Sequence, residues 1–239
     1  MITIRKSEDR GHFDHGWLDT YHTFSFGDYR DPEFSGFRQL RVMNEDRIQA
    51  DQGFGRHPHR DMEIITYIRQ GAITHKDSLG NNGVTKAGEI QIMSAGTGIT
   101  HSEYNYENTE TLLFQIWIQP NQNNIKPRWE NVAINSYHEL GIHPLASGEK
   151  ELGNSNIIKL FQDASLYLVN GEQKNDLEFE LKNGRKMYLV VAKGSTTINK
   201  NEVQSRDGVF IKNENKLYFN FKEDSELIFF DLPAGSNWQ

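Results

Sequence analysis

The stretch Ile64-Ile-Thr-Tyr-Ile-Arg-Gln-Gly-Ala-Ile-Thr74 has a counterpart in the second half of the chain, Lys186-Met-Tyr-Leu-Val-Val-Ala-Lys-Gly-Ser-Thr-Thr-Ile198. Each places an apolar run typical of a β-strand before a glycine and a second short run after it. Two further pairs of segments match in the same order: 87–92 with 207–211, and 114–120 with 227–233. The shared order of strands and turns predicts two copies of one β-unit.

Short apolar runs separated by turn signals continue from residue 37 to residue 118, without the spacing typical of helices. Strand candidates are 40–44, 64–68, 72–75, 89–93 and 112–118, and the alternation over 21–26 is also strand-like. This pattern favours an all-β fold of two tandem β-sandwich or barrel (jelly-roll) units. We place the first domain at 1–135 and the second at 136–239, with 120–150 as a connecting segment rich in Pro, Asn and Gly.

The composition restricts the class of protein and of partner. The 239 residues include no cysteine, which excludes disulfides, iron–sulfur clusters and thiolate metal sites. A formal net charge of −7 argues against direct binding to nucleic acid. The first residues show no signal peptide, and no stretch has the length of a membrane span. We therefore expect a soluble, cytoplasmic protein, acting as a monomer and not bound to a membrane.

Two short pairs stand out as candidate metal ligands, His57-Pro-His59 and His101-Ser-Glu103. Alternate side chains of a strand point to the same face, so each pair can present both of its members together. If the two strands are neighbours, three imidazoles and one carboxylate converge on a point. This ligand set suits a divalent first-row transition metal. Taken singly, each pair also fits surface residues, and Pro58 is compatible with a strand only near its start or edge.

Two carboxylates compete for the fourth ligand position. Glu63 follows His59 by four residues and would lie about 13 Å further along an undistorted strand. Glu103 needs no bend in the chain, because it lies two residues from His101 on the same face. We therefore choose Glu103 and give Glu63 a supporting or packing role. His75 is interpreted as a structural strand residue. The remaining histidines of the turn-rich first segment, His12, His15 and His22, are interpreted as surface or supporting residues.

The second copy of the repeat lacks the histidines that the same metal site would need. No histidine occurs after His143. We therefore expect one metal site, in the first copy, and a structural role for the second.

These residues resemble the pirin family, within the cupin superfamily. The segments that carry the resemblance are Gly16–Asp19, His22–Phe26, Gly53–His59, Met93–Glu103 and Gln115–Ile118. The general cupin motif is only partly met. His57, His59, Glu63, Gly71, Gly98, His101 and Asn105 fit it, whereas the spacing of its first glycine and its proline do not. The resemblance implies a bicupin fold with metal in the N-terminal copy. It also implies one iron held by three histidines and the glutamate after the third, here His57, His59, His101 and Glu103.

The resemblance further implies an activity. Bacterial pirins are associated with quercetin 2,3-dioxygenase activity, in which a flavonol is cleaved by O₂ with release of CO. It implies a small aromatic, flavonol-like substrate, Glu103 as the proton acceptor and Fe(II) as the metal, with Zn, Ni, Mn, Co or Cu as alternatives.

Two other interpretations stay open. Pirins are also linked to regulation, as iron-dependent protein partners of transcription factors or metabolic enzymes, and such a protein would turn over no substrate. A purely structural metal is the least favoured, because a mixed set of His and Glu ligands is unusual for a closed structural site.

Overall fold

The computed structural model describes residues 1–149, 157–182 and 184–234. Over these ranges the chain forms 22 β-strands and one short 3-10 turn, Ser7–Asp9, and no α-helix. The predicted all-β class is therefore confirmed. The same ranges contain no helix long and apolar enough to cross a membrane.

One compact unit comprises Gly11–Asn135. Its strands are β2 (Gly11–Asp14), β3 (Leu18–His22), β4 (Leu40–Ile48), β5 (Gln52–His59), β6 (Glu63–Gln70), β7 (Ala72–Asp77), β8 (Asn82–Lys86), β9 (Glu89–Ser94), β10 (Ile99–Asn105), β11 (Thr111–Ile118) and β12 (Arg128–Ala133). They form a seven-stranded sheet in the order β12-β9-β6-β11-β4-β3-β2 and a four-stranded sheet in the order β5-β10-β7-β8.

The other compact unit comprises Met1–Arg10 and Ser136–Gln239. Its strands are β1 (Ile2–Arg5), β13 (Gly141–Ser147), β14 (Ile158–Lys159), β15 (Ser165–Gly171), β16 (Asp176–Glu180), β17 (Lys186–Lys193), β18 (Ser195–Ile198), β19 (Asn201–Gln204), β20 (Gly208–Lys212), β21 (Lys216–Phe221) and β22 (Ser225–Leu232). They form a seven-stranded sheet, β1-β20-β17-β22-β15-β13-β14, and a four-stranded sheet, β16-β21-β18-β19.

The two units share one strand order. In the large sheets, β9-β6-β11-β4 corresponds to β20-β17-β22-β15, and in the small sheets β5-β10-β7-β8 corresponds to β16-β21-β18-β19. The repeat seen in the sequence is thus a repeat of topology, and the fold is a bicupin.

The matching glycines of the repeat serve the same purpose in both units. Gly71 has a φ of +75° between β6 and β7, and an added Cβ would lie 2.6 Å from the Thr111 hydroxyl. Gly194 has a φ of +82° between β17 and β18, and there a Cβ would lie 2.4 Å from the Ser225 hydroxyl. In both units that hydroxyl accepts a hydrogen bond from the backbone N–H of the residue after the glycine. The turn that carries the chain from the large sheet to the small sheet therefore needs a residue without a side chain.

The interiors of the two small sheets differ. In the second unit, β21 contributes Leu217 and Phe219 to a continuous apolar core, and β16 packs Leu177 and Phe179 against it. The corresponding strands of the first unit, β10 and β5, carry His101, Glu103, His57 and His59 instead.

Three details of the structure differ from the sequence prediction. Residues 1–10 group with the second unit and not with 11–135, because β1 pairs with β20 along Ile2–Arg5. The supposed connecting segment 120–150 contains both β12 and β13. β12 is half-buried up to Val132 and exposed at Ala133, and it lacks the alternation of apolar and polar residues by which strands are recognised. The strand predicted over 21–26 ends at His22.

Candidate metal centre

The antiparallel pairing of β5 with β10 brings the two predicted pairs together. His101 lies opposite His57, and Ile99 lies opposite His59. The register of this pairing shifts by one residue between His101 and Glu103, so that Glu103 lies opposite Phe54. Pro58 is accommodated because β5 is the edge strand of its sheet, where one side of the backbone has no ladder partner.

Three imidazoles converge at this end of the small sheet. The Nε2 atoms of His57 and His101 lie 3.0 Å apart. The ring centroid of His59 lies 4.8 Å from that of His57 and 5.0 Å from that of His101. One ligand nitrogen from each of the three rings falls within 4.8 Å of the others, which is the spacing required for a shared ion. His101 is buried, whereas His57 and His59 are half-buried.

The environment keeps two of these rings neutral. Burial, together with the neighbouring His101 and His57, lowers the pKa of His59 to about 4, although the charge of Glu103 opposes this shift. Burial, together with His57 and His75, lowers the pKa of His101 to about 3. A neutral imidazole has a nitrogen lone pair available for a cation, so both rings are in the metal-binding protonation state at neutral pH.

The carboxylate of Glu103 is buried and held by amide and hydroxyl donors. Its Oε1 accepts hydrogen bonds from Gln91 Nε2 at 2.6 Å and from Thr66 Oγ1 at 3.2 Å. Its Oε2 accepts one from Gln115 Nε2 at 3.0 Å. Glu103 forms a second close group with His101 and His75, so the two groups share His101.

Glu63, the competing carboxylate, lies elsewhere. It is fully buried at the start of β6, opposite Ser94 of β9 and Ile118 of β11. Its charge raises the pKa of Arg128, although burial lowers that pKa overall. Among the described residues, neither close group of potential ligands includes Glu63.

Sequence reasoning missed the place of His75. This ring is fully buried, and its Nδ1 lies 3.3 Å from the Nδ1 of His101. Its Nε2 lies 3.0 Å from Oδ2 of Asp77, and Trp129 stacks on its face at 4.8 Å. The available signal was His75-Lys-Asp77, a third pair with the same spacing as the other two.

The other histidines of the first segment lie apart from this cluster. His12 contacts the Asp19 carboxylate at 2.8 Å on the surface, and His22 packs edge-on against Phe26. Neither they nor His15 belong to a group of potential ligands in the described part of the chain.

A cavity of about 290 Å³ opens onto the cluster. It is lined by Phe26, Asn44, Asp46, Phe54, His57, His59, Ile64, His101, Glu103, Gln115 and Trp117. The three histidines and Glu103 therefore face one space with mostly apolar walls, as small-molecule sites do.

The donor set fits a divalent transition metal. Such ions bind nitrogen and oxygen ligands. The site offers two imidazole nitrogens 3.0 Å apart, a third imidazole nitrogen within 4.8 Å of both, and a buried carboxylate that lines the same cavity.

Comparisons with known proteins agree with this fold. Residues 3–118 match the family model described as Pirin, and residues 145–232 match the one described as quercetinase C-terminal cupin domain. A protein of Escherichia coli (strain K12) named quercetin 2,3-dioxygenase is 46% identical over 237 residues, which cover 98% of this chain and 99% of the relative.

Two crystal structures are similar over the full length. YhhW from Escherichia coli has a TM-score of 0.94 and 43% identity, and covers 100% of both chains. The bacterial pirin YhhW from Escherichia coli in complex with nickel(II) has a TM-score of 0.93 and 44% identity, and covers 98% of this chain and 100% of that one. Since both halves of the sequence match and the likeness extends over the whole length of these relatives, the chain belongs to the pirin family.

Proposed function

We propose that the protein is a metal-dependent dioxygenase that cleaves flavonols such as quercetin with O₂ and releases CO. One observation carries the proposal: His57, His59, His101 and Glu103 all line a single cavity with apolar walls. We assign the chemistry to the unit of Gly11–Asn135 and a structural role to the other unit.

The relatives support both halves of this proposal. A relative of the same length is named a quercetin 2,3-dioxygenase, and a similar structure is a complex with nickel(II). We propose His57, His59, His101 and Glu103 as the metal ligands and Fe(II) as the metal, with nickel and other divalent ions as substitutes. A metal bound there supplies a Lewis acid, which lowers the pKa of a coordinated hydroxyl group.

The walls of the cavity suit a flat aromatic molecule that carries hydroxyl groups. Phe26, Phe54 and Ile64 provide apolar surface, and Trp117 lies edge-on to Phe26 at 5.3 Å. Asn44, Asp46 and Gln115 add polar side chains to the same lining, which suit the hydroxyl groups of such a molecule.

Glu103 is proposed to take the proton of the flavonol 3-hydroxyl. Gln91 and Gln115 hold its carboxylate on the cavity wall. Its Oε2 accepts a single hydrogen bond in the described structure, so that oxygen has capacity left for the proton. Proton removal leaves an electron-rich enolate.

The remaining bond changes balance without another reductant. O₂ adds one oxygen to C2 and one to C4 of the flavonolate, and the C2–C3, C3–C4 and O–O bonds break. C3 leaves with its own oxygen as CO, and both atoms of O₂ remain in the ring-opened ester. The apolar walls exclude water and hold the ring system in place while this occurs.

The decisive experiment is incubation of metal-loaded and metal-free protein with quercetin, with and without O₂. We expect loss of flavonol absorbance and one CO per flavonol only when metal and O₂ are both present. The matched variant Glu103→Gln, which keeps the size of the side chain, should retain the fold and lose turnover. If loaded protein consumes no quercetin or related flavonol, the dioxygenase proposal is wrong and the regulatory interpretation is favoured, which a metal-dependent pull-down then tests.

A further inference from the structure

A continuous chain of contacts runs from a buried carboxylate to the histidine cluster. Asp77 Oδ2 lies 3.0 Å from His75 Nε2, and His75 Nδ1 lies 3.3 Å from His101 Nδ1. His101 Nε2, the opposite side of that ring, is the atom that lies 3.0 Å from His57 Nε2. His101 thus offers one nitrogen to the proposed ion and the other to His75.

Asp77 serves as a hydrogen-bond acceptor on all its sides. Its Oδ1 accepts from the backbone N–H groups of Leu79 and Asn81, at 2.9 and 3.0 Å. Its Oδ2 accepts from Asn81 Nδ2 at 2.8 Å. Because the carboxylate has no proton to give, the nitrogen of His75 that faces it must carry the hydrogen.

The proton position on His75 determines the proton position on His101. A neutral histidine carries one proton, so a proton on Nε2 of His75 leaves its Nδ1 as an acceptor. The Nδ1 of His101 that faces this acceptor must then be the donor, which leaves Nε2 of His101 with its lone pair free. We propose that Asp77 and His75 are positioning residues that hold His101 in the tautomer able to bind metal through Nε2. This inference rests on the metal site of the proposed function.

The surroundings of His75 hold it in this orientation. Its side chain and that of Asp77 are fully buried. In the pairing of β7 with β10, Asp77 lies opposite His101 and His75 lies opposite Glu103, so all four side chains are on one face of the sheet. Trp129 stacks on the imidazole at an interplanar angle of 8°. The ring has little freedom to turn away from its two partners.

We call the chain of contacts from Asp77 through His75 to His101 the relay. The substitution Asp77→Asn should reverse the direction of its hydrogen bonds. The amide oxygen is expected at the Oδ1 position, where two backbone N–H groups require an acceptor. The amide nitrogen then faces His75 and donates to its Nε2, which moves the proton of His75 to Nδ1. The Nδ1 of His101 must then accept a hydrogen bond from the Nδ1 of His75. His101 therefore carries its own hydrogen on Nε2. A near-isosteric change two residues beyond His75 thus blocks the metal-binding atom.

The tautomer is read directly in metal-free protein labelled with ¹⁵N at histidine, at pH 8. The His101 signals are identified by their loss in His101→Gln. We expect a protonated Nδ1 and an unprotonated Nε2 in the wild type, and the reverse in Asp77→Asn. A wild type whose His101 is protonated on Nε2 would overturn the proposal, whatever the behaviour of the variants.

Metal affinity provides the second readout, by titration of metal-free protein with Ni²⁺ in competition with a chromophoric chelator. Asp77→Asn should weaken binding about 10- to 100-fold. In a His75→Phe background, which keeps a ring against Trp129 but cannot relay, the same change should cost less than about threefold. Equal losses of affinity in both backgrounds would mean that Asp77 acts only by holding the turn that contains Leu79 and Asn81. That result would refute the relay.

His75→Gln tests rescue. Its amide can donate to Asp77 and accept from His101 Nδ1, which reproduces the polarity of the neutral histidine. We expect the wild-type tautomer of His101 and affinity within about threefold of the wild type; a loss as large as that of Asp77→Asn would contradict the proposal. A wild type that binds no Ni²⁺ would refute the proposed metal site, and the tautomer measurement distinguishes that failure from failure of the relay.

Discussion

The Nε2 atoms of His57 and His101 lie 3.0 Å apart, although 44 positions separate the two residues in the chain. Neighbouring strands of one antiparallel sheet place them opposite each other. Two uncharged imidazoles at this distance gain one hydrogen bond at most, whereas an ion between them can bind both nitrogens.

We expect His57→Ala and His101→Ala each to abolish stoichiometric metal binding, because each removes one of three converging nitrogens. The metal content of the purified variants, measured by inductively coupled plasma mass spectrometry, checks this. His12→Ala is the matched control, since that ring lies on the surface against Asp19 and should leave the metal content unchanged. Wild-type metal content in both cluster variants would contradict the assignment.

The cluster also predicts how the stability of the metal-free protein depends on pH. The unfolded chain protonates His59 and His101 near 6.5, whereas the folded protein does so only near 4 and 3. The unfolded state therefore binds more protons between these values, and the contribution of the two rings is complete above about pH 6.5 and is lost as the pH falls toward 4 and below.

Urea unfolding of metal-free protein at several pH values between 7 and 4 measures this dependence. We expect His59→Gln to flatten the decline in unfolding free energy, because glutamine does not titrate. The comparison isolates His59 from the carboxylates, which titrate in both proteins. Identical slopes for wild type and variant would show that His59 is not held neutral by the fold.

Gly71→Ala should destabilise the first unit by about 1–3 kcal/mol, because alanine is strained at a φ of +75° and its Cβ would meet the Thr111 hydroxyl. Gly194→Ala should have a similar effect in the second unit, where Ser225 takes the place of Thr111. Denaturant unfolding checks both. Gly55→Ala is the control, since a Cβ there meets nothing within 4 Å; a loss as large as that of Gly71→Ala would refute the steric explanation.

Trp117→Leu should weaken substrate binding more than it slows the reaction. The change removes an aromatic ring from the cavity wall beside His59 and keeps an apolar side chain there. Loss of one aromatic contact corresponds to a rise in KM of about 2- to 10-fold, with kcat nearly unchanged. Steady-state kinetics with quercetin test this; a fall in kcat at unchanged KM would show that the ring does not act on substrate binding.

Much of the fold followed from local patterns. Apolar runs broken at Gly71 and Gly194 predicted the strands on either side of these turns, and the repeated order of segments predicted two units of one topology. Patterns of this kind fail where a strand lacks apolar alternation, as in β12, Arg128–Ala133. They also fail where a strand joins a distant partner: the pairing of Ile2–Arg5 with β20 is set by contacts some two hundred residues apart.

In the candidate site too, some residues were predicted from local spacing and others depend on the pairing of distant strands. Spacing of two residues within a strand was sufficient to propose His57 with His59 and His101 with Glu103, and to prefer Glu103 over Glu63. The pair of His75 and Asp77 has the same spacing but was interpreted as structural. Its place behind His101 depends on the pairing of β7 with β10.

Sequence alone therefore specified which side chains share a face, because the alternation of a strand is a local property of the backbone. Only the folded sheets decided which faces meet. The register of β5, β10 and β7 set the 3.0 Å contact of His57 with His101 and the contact of His101 with His75. Asn44 of β4 and Trp117 of β11 line the same cavity from the large sheet. Such long-range pairings depend on the packing of the whole unit, which no short segment encodes.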